Sequence, residues 1–211
     1  MFRFKKNIRL FGLTGQSGAG KTSAAKVFSE KGFAIIDCDK LTREVYKSGS
    51  DCNKAIAEAF GEEILLENGE IDRKKLGGIV FSDEKLLEIL NTTVYPFITA
   101  AIEEKIKEIT NSLIMLDAPT LFESGTYEYC ERITAVVADR EIRKARIMAR
   151  DNADEISVER RFDSQKTEEF FRNNCEYIIE NNTDETELIK QTERIADLII
   201  NEFAKRGVQN A

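Results

Sequence analysis

A glycine-rich stretch near the amino terminus has the residue types and spacing of a phosphate-binding loop. It matches Gly-x-x-x-x-Gly-Lys-Thr at every fixed position, with an apolar run before it and a helical pattern after it. Its glycines allow backbone N–H groups to turn towards phosphate oxygens, while the lysine suits the outer phosphates and the threonine hydroxyl suits Mg²⁺. We therefore predict a nucleoside triphosphate site formed by Gly15, Gln16, Ser17, Gly18, Ala19, Gly20, Lys21, Thr22 and Ser23.

Three aspartates end apolar runs that are typical of strands, namely Asp37, Asp39 and Asp117. The carboxyl ends of parallel strands line the ligand crevice of an α/β sheet, so we expect these side chains near the metal and the phosphoryl group. A carboxylate beside an acceptor hydroxyl can take its proton during phosphoryl transfer. A purely structural role is the alternative for Asp39, as the cap of the helix that follows it.

Two common classes of nucleotide-binding protein are disfavoured by what is missing from the sequence. Guanine-specific proteins carry Asn-Lys-x-Asp near the end of the sheet, and the Asn53-Lys54 pair here lacks that aspartate. Motor ATPases place a glutamate after the strand-end aspartate, whereas Asp117 is followed by Ala118 and Pro119. The sequence therefore favours transfer of a phosphoryl group to an acceptor over hydrolysis.

Three arginines in one predicted helix are candidates for binding the triphosphate. Arg143, Arg146 and Arg150 are spaced so that they share a helix face, and three cations suit a triphosphate and its transition state. The alternative is an ordinary solvated face, which is most favoured for Arg143.

Short apolar runs that alternate with amphipathic segments predict the elements that position these residues. We predict strands at 8–14, 33–37, 112–118, 133–138 and 177–180, and helices at 21–30, 41–47, 53–60, 74–80, 83–109, 140–150 and 184–206. The helix at 83–109 is expected to be interrupted at Pro96. This order predicts a three-layer α/β/α fold of the P-loop NTPase type with a parallel five-stranded sheet.

The same pattern divides the chain into three parts. We predict a nucleotide-binding core from residues 1–39, 112–150 and 173–211, and an inserted helical acceptor subdomain at 40–111. Residues 151–172 are rich in charge of both signs and poor in apolar residues, which predicts a mobile helical lid.

Composition excludes several classes of partner and site. The chain has 211 residues, a net charge of −7, four cysteines and no histidine. An acidic balance argues against non-specific binding to nucleic acid or anionic membranes, and the lack of histidine excludes histidine-based catalytic and metal sites. Widely spaced cysteines and the lack of a signal-like or membrane-spanning segment predict a cytoplasmic protein. No protein partner can be inferred.

Motifs beyond the phosphate loop follow one another along nearly the whole chain. Asp-x-Asp with Arg-Glu-Val lies at 37–45, Pro-x-Leu-Phe-Glu at 119–123 and Arg-x-x-x-Arg-Asp at 146–151. Shorter matches lie at 60–61, 69–73, 80–81, 96–98, 160–165 and 178–181. Together these motifs resemble those of the dephospho-CoA kinase family.

The resemblance implies transfer of the ATP γ-phosphoryl group to the 3′-hydroxyl of dephospho-CoA, the last step of coenzyme A synthesis, with ATP and Mg²⁺ as cofactors. It implies that Asp39 is the general base, that Lys21 and Arg150 stabilise the transferred charge, and that Thr22 and Asp117 hold the metal. ATP contacts are further implied for Arg146 and Asn181. Acceptor contacts are implied for Asp37, Asp39, Arg43, Arg73, Pro119 and Phe122.

The sequence departs from the family pattern at three places. The family commonly has Gly-Gly-Ile-Gly-Ser-Gly-Lys in its phosphate loop, and the loop of this chain is also similar to those of uridine kinases. Tyr95 stands where a histidine usually precedes the proline, and Thr120 replaces a leucine. There are therefore two competing hypotheses. One is another P-loop kinase with a nucleoside or nucleotide acceptor, and the other is a nucleotide-binding regulator without catalysis. Retention of Asp39, Lys21 and Arg150 favours an enzyme over the regulator.

Overall fold

A parallel β-sheet forms the centre of the molecule, as the apolar runs predict. The computed structural model describes residues 8–80 and 83–208, so the predicted core segments 1–7 and 209–211 and the motif residue Phe81 lie outside the described residues. The strands, which end within one residue of their predicted positions, are β1 (Arg9–Gly15), β2 (Ala34–Asp37), β3 (Leu113–Asp117), β4 (Arg132–Val137) and β5 (Tyr177–Glu180). Their order is β2-β3-β1-β4-β5, with every neighbouring pair parallel.

Helices cover both faces of this sheet and confirm the three-layer architecture. They are α1 (Lys21–Glu30), α2 (Cys38–Val45), α3 (Asp51–Phe60), α4 (Arg73–Val80), α5 (Glu84–Glu108), α6 (Arg140–Asp151), α7 (Glu155–Asp163), α8 (Glu168–Asn174) and α9 (Glu185–Val208). Because successive strand residues point to opposite faces, Leu13 packs with α1 and α9 while Leu10 packs on the side of α2 to α5. None of the helices in residues 8–80 and 83–208 is long and apolar enough to cross a membrane.

The predicted interruption of the long helix at Pro96 is wrong, because α5 continues through this residue. A proline inside a helix frees the carbonyl group four residues earlier, which here belongs to Thr92. Both Pro96 and Thr92 are exposed, so water can satisfy that carbonyl without breaking the helix. The helix packs along α3 and α2 and closes one side of the cleft described below.

The helix after β2 begins at Cys38, three residues before its predicted start at residue 41. The side chain of Asp37 accepts a hydrogen bond from the backbone N–H of Lys40 and caps the helix. An aspartate at this position satisfies one of the backbone N–H groups that a helix leaves unpaired. The cap turns the chain immediately after the strand, so Asp39 lies in the first turn of α2.

Candidate active site

The phosphate loop joins β1 to α1 in a conformation that only glycine accommodates at several positions. Gly15 and Gly20 both have positive φ angles, of 147° and 103°. A Cβ atom on Gly15 would collide with the carbonyl oxygen of Val136, and one on Gly20 would collide with the side-chain amide of Asn181. The loop therefore packs closely against β4 on one side and against the segment after β5 on the other.

The amino terminus of α1 faces this loop and has backbone donors available for an anion. The helix starts at Lys21, and Gly20 at the capping position supplies no side chain to accept its first N–H groups. A helix leaves its first N–H groups without intrahelical partners, and its dipole adds positive potential there. The glycine-lined loop and the uncapped helix terminus together fit the phosphates of a nucleotide.

Two of the predicted nucleotide-binding residues, Asn181 and Arg146, support the loop from outside. Asn181 is 7% exposed, and its Nδ2 atom donates to the carbonyl oxygen of Ala19 at 2.7 Å. Arg146 donates to the backbone oxygen of Asn181 at 3.0 Å and to its Oδ1 atom at 3.3 Å. These contacts fix the back of the loop, while direct contact of either residue with ATP stays a prediction.

Lys21 and Asp117 form an ion pair at the carboxyl end of β3. Burial raises the pKa of the Asp117 carboxyl above its ordinary value; Lys21 opposes that rise, and the carboxylates Asp37 and Asp39 add to it. Thr22, the residue after Lys21, has an exposed side chain. Carboxylate and hydroxyl oxygens are donors suited to Mg²⁺, which also takes phosphate oxygens as ligands. No set of three His, Cys, Asp or Glu side chains that could hold a metal by itself occurs in the described ranges.

The structure separates the roles of the two aspartates that follow β2. Because Asp37 caps α2, the hypothesis that Asp39 is only the cap is wrong. The Asp39 side chain is exposed, has no hydrogen-bond partner in the part of the chain that the structure describes, and lines a large cleft. Between them lies Cys38, whose pKa burial raises to about 12, so its thiol is unreactive.

This cleft, of about 490 Å³, lies between the phosphate loop, α2, α5 and the predicted lid. Gly15 and Gln16 contribute from the loop, and Asp39 from α2. Pro119, predicted to contact the acceptor, lines it as well. The other lining residues are Cys38, Thr42, Tyr46, Leu87, Leu90, Asn91, Val94, Tyr95, Ile98, Ala118, Thr120, Glu123, Ser124, Thr126, Ser164, Gln165, Lys166 and Phe171.

Three other predicted acceptor residues, Phe122, Arg43 and Arg73, are not among those that line the main cleft. Phe122 lines a neighbouring cavity of about 250 Å³, together with Tyr127 and Phe170. Arg43 and Arg73 are exposed and are not among the cleft-lining residues. The Arg73 guanidinium lies 5.7 Å from the ring centre of Tyr46, which does line the cleft. Acceptor contacts from Phe122, Arg43 and Arg73 stay predictions.

The predicted lid touches the phosphate loop through Gln165. Its Oε1 atom accepts a hydrogen bond from the backbone N–H of Ser17 at 3.1 Å, and Gln165 also lines the cleft. The adjacent Lys166 lines both cavities. Neither residue is predicted to belong to the site from the sequence, although Gln165 falls within the matched stretch 160–165. To predict that these residues line the cleft, one would need to know where the predicted lid lies. Its position follows only from its packing on α6 and β4.

The arginines of α6 do not form the single cationic face that their spacing suggests. Arg143 is 5% exposed; its Nε atom donates to the carbonyl oxygen of Ala138 at 2.8 Å, and its guanidinium lies 4.3 Å from the ring centre of Phe162. Arg143 therefore anchors α6 to the end of β4 and to α7. Its interpretation as part of a solvated face is wrong, while contact with the triphosphate stays a prediction. Arg150 is exposed and bonds Asp151 at 2.7 and 2.9 Å.

Tyr95 and Thr120, the two departures from the family pattern, both line the cleft. The Tyr95 hydroxyl donates to the backbone oxygen of Glu123, which ties α5 to the loop after β3. Burial, followed by the nearby Glu123 carboxylate, raises the pKa of Tyr95. The tyrosine thus has a structural contact of its own on the wall of the cleft.

Comparisons with known proteins agree with this geometry. The dephospho-CoA kinase family model matches residues 9–187. The dephospho-CoA kinase of Fusobacterium nucleatum is 36% identical over 193 residues, covering 92% of this chain and 100% of that protein. That of Arabidopsis thaliana is 35% identical, covering 89% of this chain and 82% of that protein. The solved structure of the dephospho-CoA kinase from Campylobacter jejuni is 25% identical with a TM-score of 0.62, covering 90% and 96% of the two chains.

Proposed function

The chain belongs to the dephospho-CoA kinase family, and from this premise we propose that it transfers the γ-phosphoryl group of ATP to the 3′-hydroxyl of dephospho-CoA. The products are coenzyme A and ADP, which makes the reaction the last step of coenzyme A synthesis. The competing hypotheses of a nucleoside acceptor or a non-catalytic regulator have no observation in their favour comparable to this family membership.

One observation carries the chemical part of the proposal. Asp39 is an exposed carboxylate without a hydrogen-bond partner among the described residues, on the wall of a cleft whose floor is the start of the phosphate loop, at Gly15 and Gln16. An acceptor in this cleft can therefore present a hydroxyl to Asp39 on one side and to the outer phosphate of a loop-bound nucleotide on the other. Phosphoryl transfer needs this arrangement, because the attacking oxygen, the phosphorus atom and the leaving oxygen lie roughly in line.

The proposed step balances without any further reactant. The 3′-oxygen of the acceptor forms a bond to the γ-phosphorus as the bond to the oxygen that bridges the β- and γ-phosphates breaks. Asp39 accepts the proton of the 3′-hydroxyl, and ADP leaves with the electron pair of the broken bond. A carboxylate held beside the hydroxyl contributes about 10²–10⁴-fold to such a transfer.

The loop and its neighbours stabilise the charge that develops. Backbone N–H groups at the amino terminus of α1 point at the phosphates, and Lys21 moves from Asp117 to the outer phosphate oxygens. Thr22 and Asp117 are the residues that would hold Mg²⁺, which, when bound, neutralises charge on the β- and γ-phosphates. Arg150 lies at the carboxyl end of α6, where the predicted lid begins, and would contact the transferred group when that lid closes.

A panel of acceptors tests the proposal. A coupled assay of ADP release is run with dephospho-CoA, with adenosine, uridine and their monophosphates, and without an acceptor. We expect turnover that depends on dephospho-CoA, together with a product whose phosphate is on the 3′-oxygen by ³¹P NMR. Faster turnover with a nucleoside would favour the competing kinase hypothesis, and no acceptor-dependent turnover would favour the regulator.

A further inference from the structure

Gln16, the second residue of the phosphate loop, uses both of its backbone groups inside the protein. Its N–H donates to the carbonyl oxygen of Val136 at 3.2 Å, and its carbonyl oxygen accepts from the N–H of Ala19 at 3.1 Å. Gln16 therefore has no backbone donor left for a phosphate oxygen. Any ligand contact that it makes comes from its side chain.

Gln16 is a buried residue that lines the cleft. The residue is 6% exposed and lines the cleft, yet its Oε1 atom has no hydrogen-bond partner in residues 8–80 and 83–208. A buried amide oxygen without a partner is destabilising, and a ligand hydroxyl that reaches it can recover that cost. The Oε1 atom of Gln165, in the same cleft, already accepts the N–H of Ser17.

The position of this amide relative to Asp39 indicates what it can bind. Gln16 follows β1 and Asp39 follows β2, and one strand, β3, lies between these two. Two strand spacings place the backbones about 10 Å apart. The 2′- and 3′-hydroxyls of a ribose form a vicinal pair that can bridge such a gap, with one hydroxyl bonded to each side chain. A hydroxyl both donates and accepts, so it satisfies either end of an amide.

We propose that the Gln16 side chain binds the ribose 2′-hydroxyl of the acceptor and thereby orients the 3′-hydroxyl towards Asp39. Gln16 is then a positioning residue for the acceptor, although it belongs to the loop that binds the phosphates of ATP. The proposal rests on the proposed function, because it takes dephospho-CoA as the molecule in the cleft. It gives a specific role to a side chain at a position where the family commonly has glycine.

The test compares two acceptors, dephospho-CoA and its 2′-deoxyribose analogue, in the wild-type protein and in Gln16→Met. Methionine keeps the length of the side chain but removes its hydrogen bonding. We expect the wild type to prefer dephospho-CoA by about twofold to tenfold in kcat/KM, the range of one net hydrogen bond. The methionine variant should lose this preference through a lower rate on dephospho-CoA alone, with the KM for ATP unchanged.

Gln165→Met is the matched control, because it removes the same amide from the same cleft where that amide already has a protein partner. It should affect both acceptors equally and keep the wild-type preference. Thermal denaturation and ADP binding establish that each variant is folded. Gln16→Gly, which also lacks the amide, gives the same measurement if the methionine variant does not bind ADP.

Three results would overturn the assignment. The first is a wild-type protein with no preference between the acceptors, and the second is a preference retained by both Gln16 variants. The third is an equal loss of kcat/KM on both acceptors, which would indicate that the amide contacts the phosphoryl group and not the 2′-hydroxyl. A failure of the proposed function is distinguishable, since the wild type would then not phosphorylate dephospho-CoA at all.

Discussion

Replacing Asp39 by asparagine removes its charge while leaving the fold undisturbed. The side chain is exposed and has no hydrogen-bond partner within the described residues. The cap of α2 comes from the neighbouring Asp37, so Asp39 is not needed for it. We therefore expect the free energy of unfolding to change by no more than about 0.5 kcal/mol. The rate of transfer, in contrast, should fall, since the amide cannot take a proton from the acceptor hydroxyl.

The size of that fall follows from the proposed role. Loss of a general base lowers kcat by about 10²–10⁴-fold, equivalent to about 2.7–5.5 kcal/mol in the activation free energy. Asp37→Ala should instead lower the stability of the protein. Loss of the cap costs about 1 kcal/mol, or about 2–4 °C in Tm for a chain of 211 residues. Asp37→Asn keeps the cap and should restore the wild-type Tm.

The assay measures CoA formation, ATP affinity and Tm for Asp39→Asn, Asp37→Asn and Asp37→Ala in parallel. ATP affinity should be close to wild type in Asp39→Asn, because the carboxylate lies on the acceptor side of the loop. If Asp39→Asn keeps more than about a tenth of the wild-type kcat, the assignment of Asp39 as general base is wrong. A drop in Tm for Asp39→Asn that matches Asp37→Ala would show that both aspartates stabilise the helix.

Three further predictions concern the loop, the predicted lid and α6. Lys21→Ala should lower kcat by about 10²–10³-fold while the protein stays folded, and near-normal turnover would contradict the phosphate-loop assignment. Amide hydrogen exchange in residues 151–172 should slow when a non-hydrolysable ATP analogue and dephospho-CoA are added together; equal protection with and without them would indicate a rigid hairpin. Arg143→Leu should lower the free energy of unfolding in urea by about 2–3 kcal/mol, through loss of the Ala138 and Phe162 contacts, whereas an exposed arginine would leave it unchanged.

The sheet and most helix ends could be predicted from the sequence because local patterns determine them. Buried parallel strands read as apolar runs, and each run here is bounded by glycine, serine, asparagine or charged residues. The errors occur where a local rule depends on the surroundings. Proline ends many helices, but Pro96 lies on an exposed face where water can take the freed carbonyl. The predicted start of α2 is wrong because either Asp37 or Asp39 could cap the helix, and only the backbone geometry selects Asp37.

The nucleotide side of the site was predictable because it is contiguous in sequence. Residues 15–23 carry the loop, its lysine and its threonine in one stretch, and their spacing alone positions them at a strand–helix junction. Arg143 shows the limit of this reasoning. Its helical spacing to Arg146 and Arg150 is correct, but the ring of Phe162 in α7 covers it, and no pattern within α6 reports that contact.

The acceptor side could not be predicted in the same way, because its cleft is assembled from segments far apart in the chain. Asp39, Tyr95, Pro119 and Gln165 meet only once α2, α5, the loop after β3 and the predicted lid have packed together. In its proposed role Gln16 belongs to both sides, since its backbone completes the phosphate loop while its amide binds the acceptor. The motif assigns this residue to ATP on the basis of its backbone position. Its acceptor role is inferred from its burial and from a side-chain oxygen that has no partner among the described residues. A residue within a phosphate loop can thus carry acceptor specificity wherever its side chain, unlike its backbone, leaves the loop.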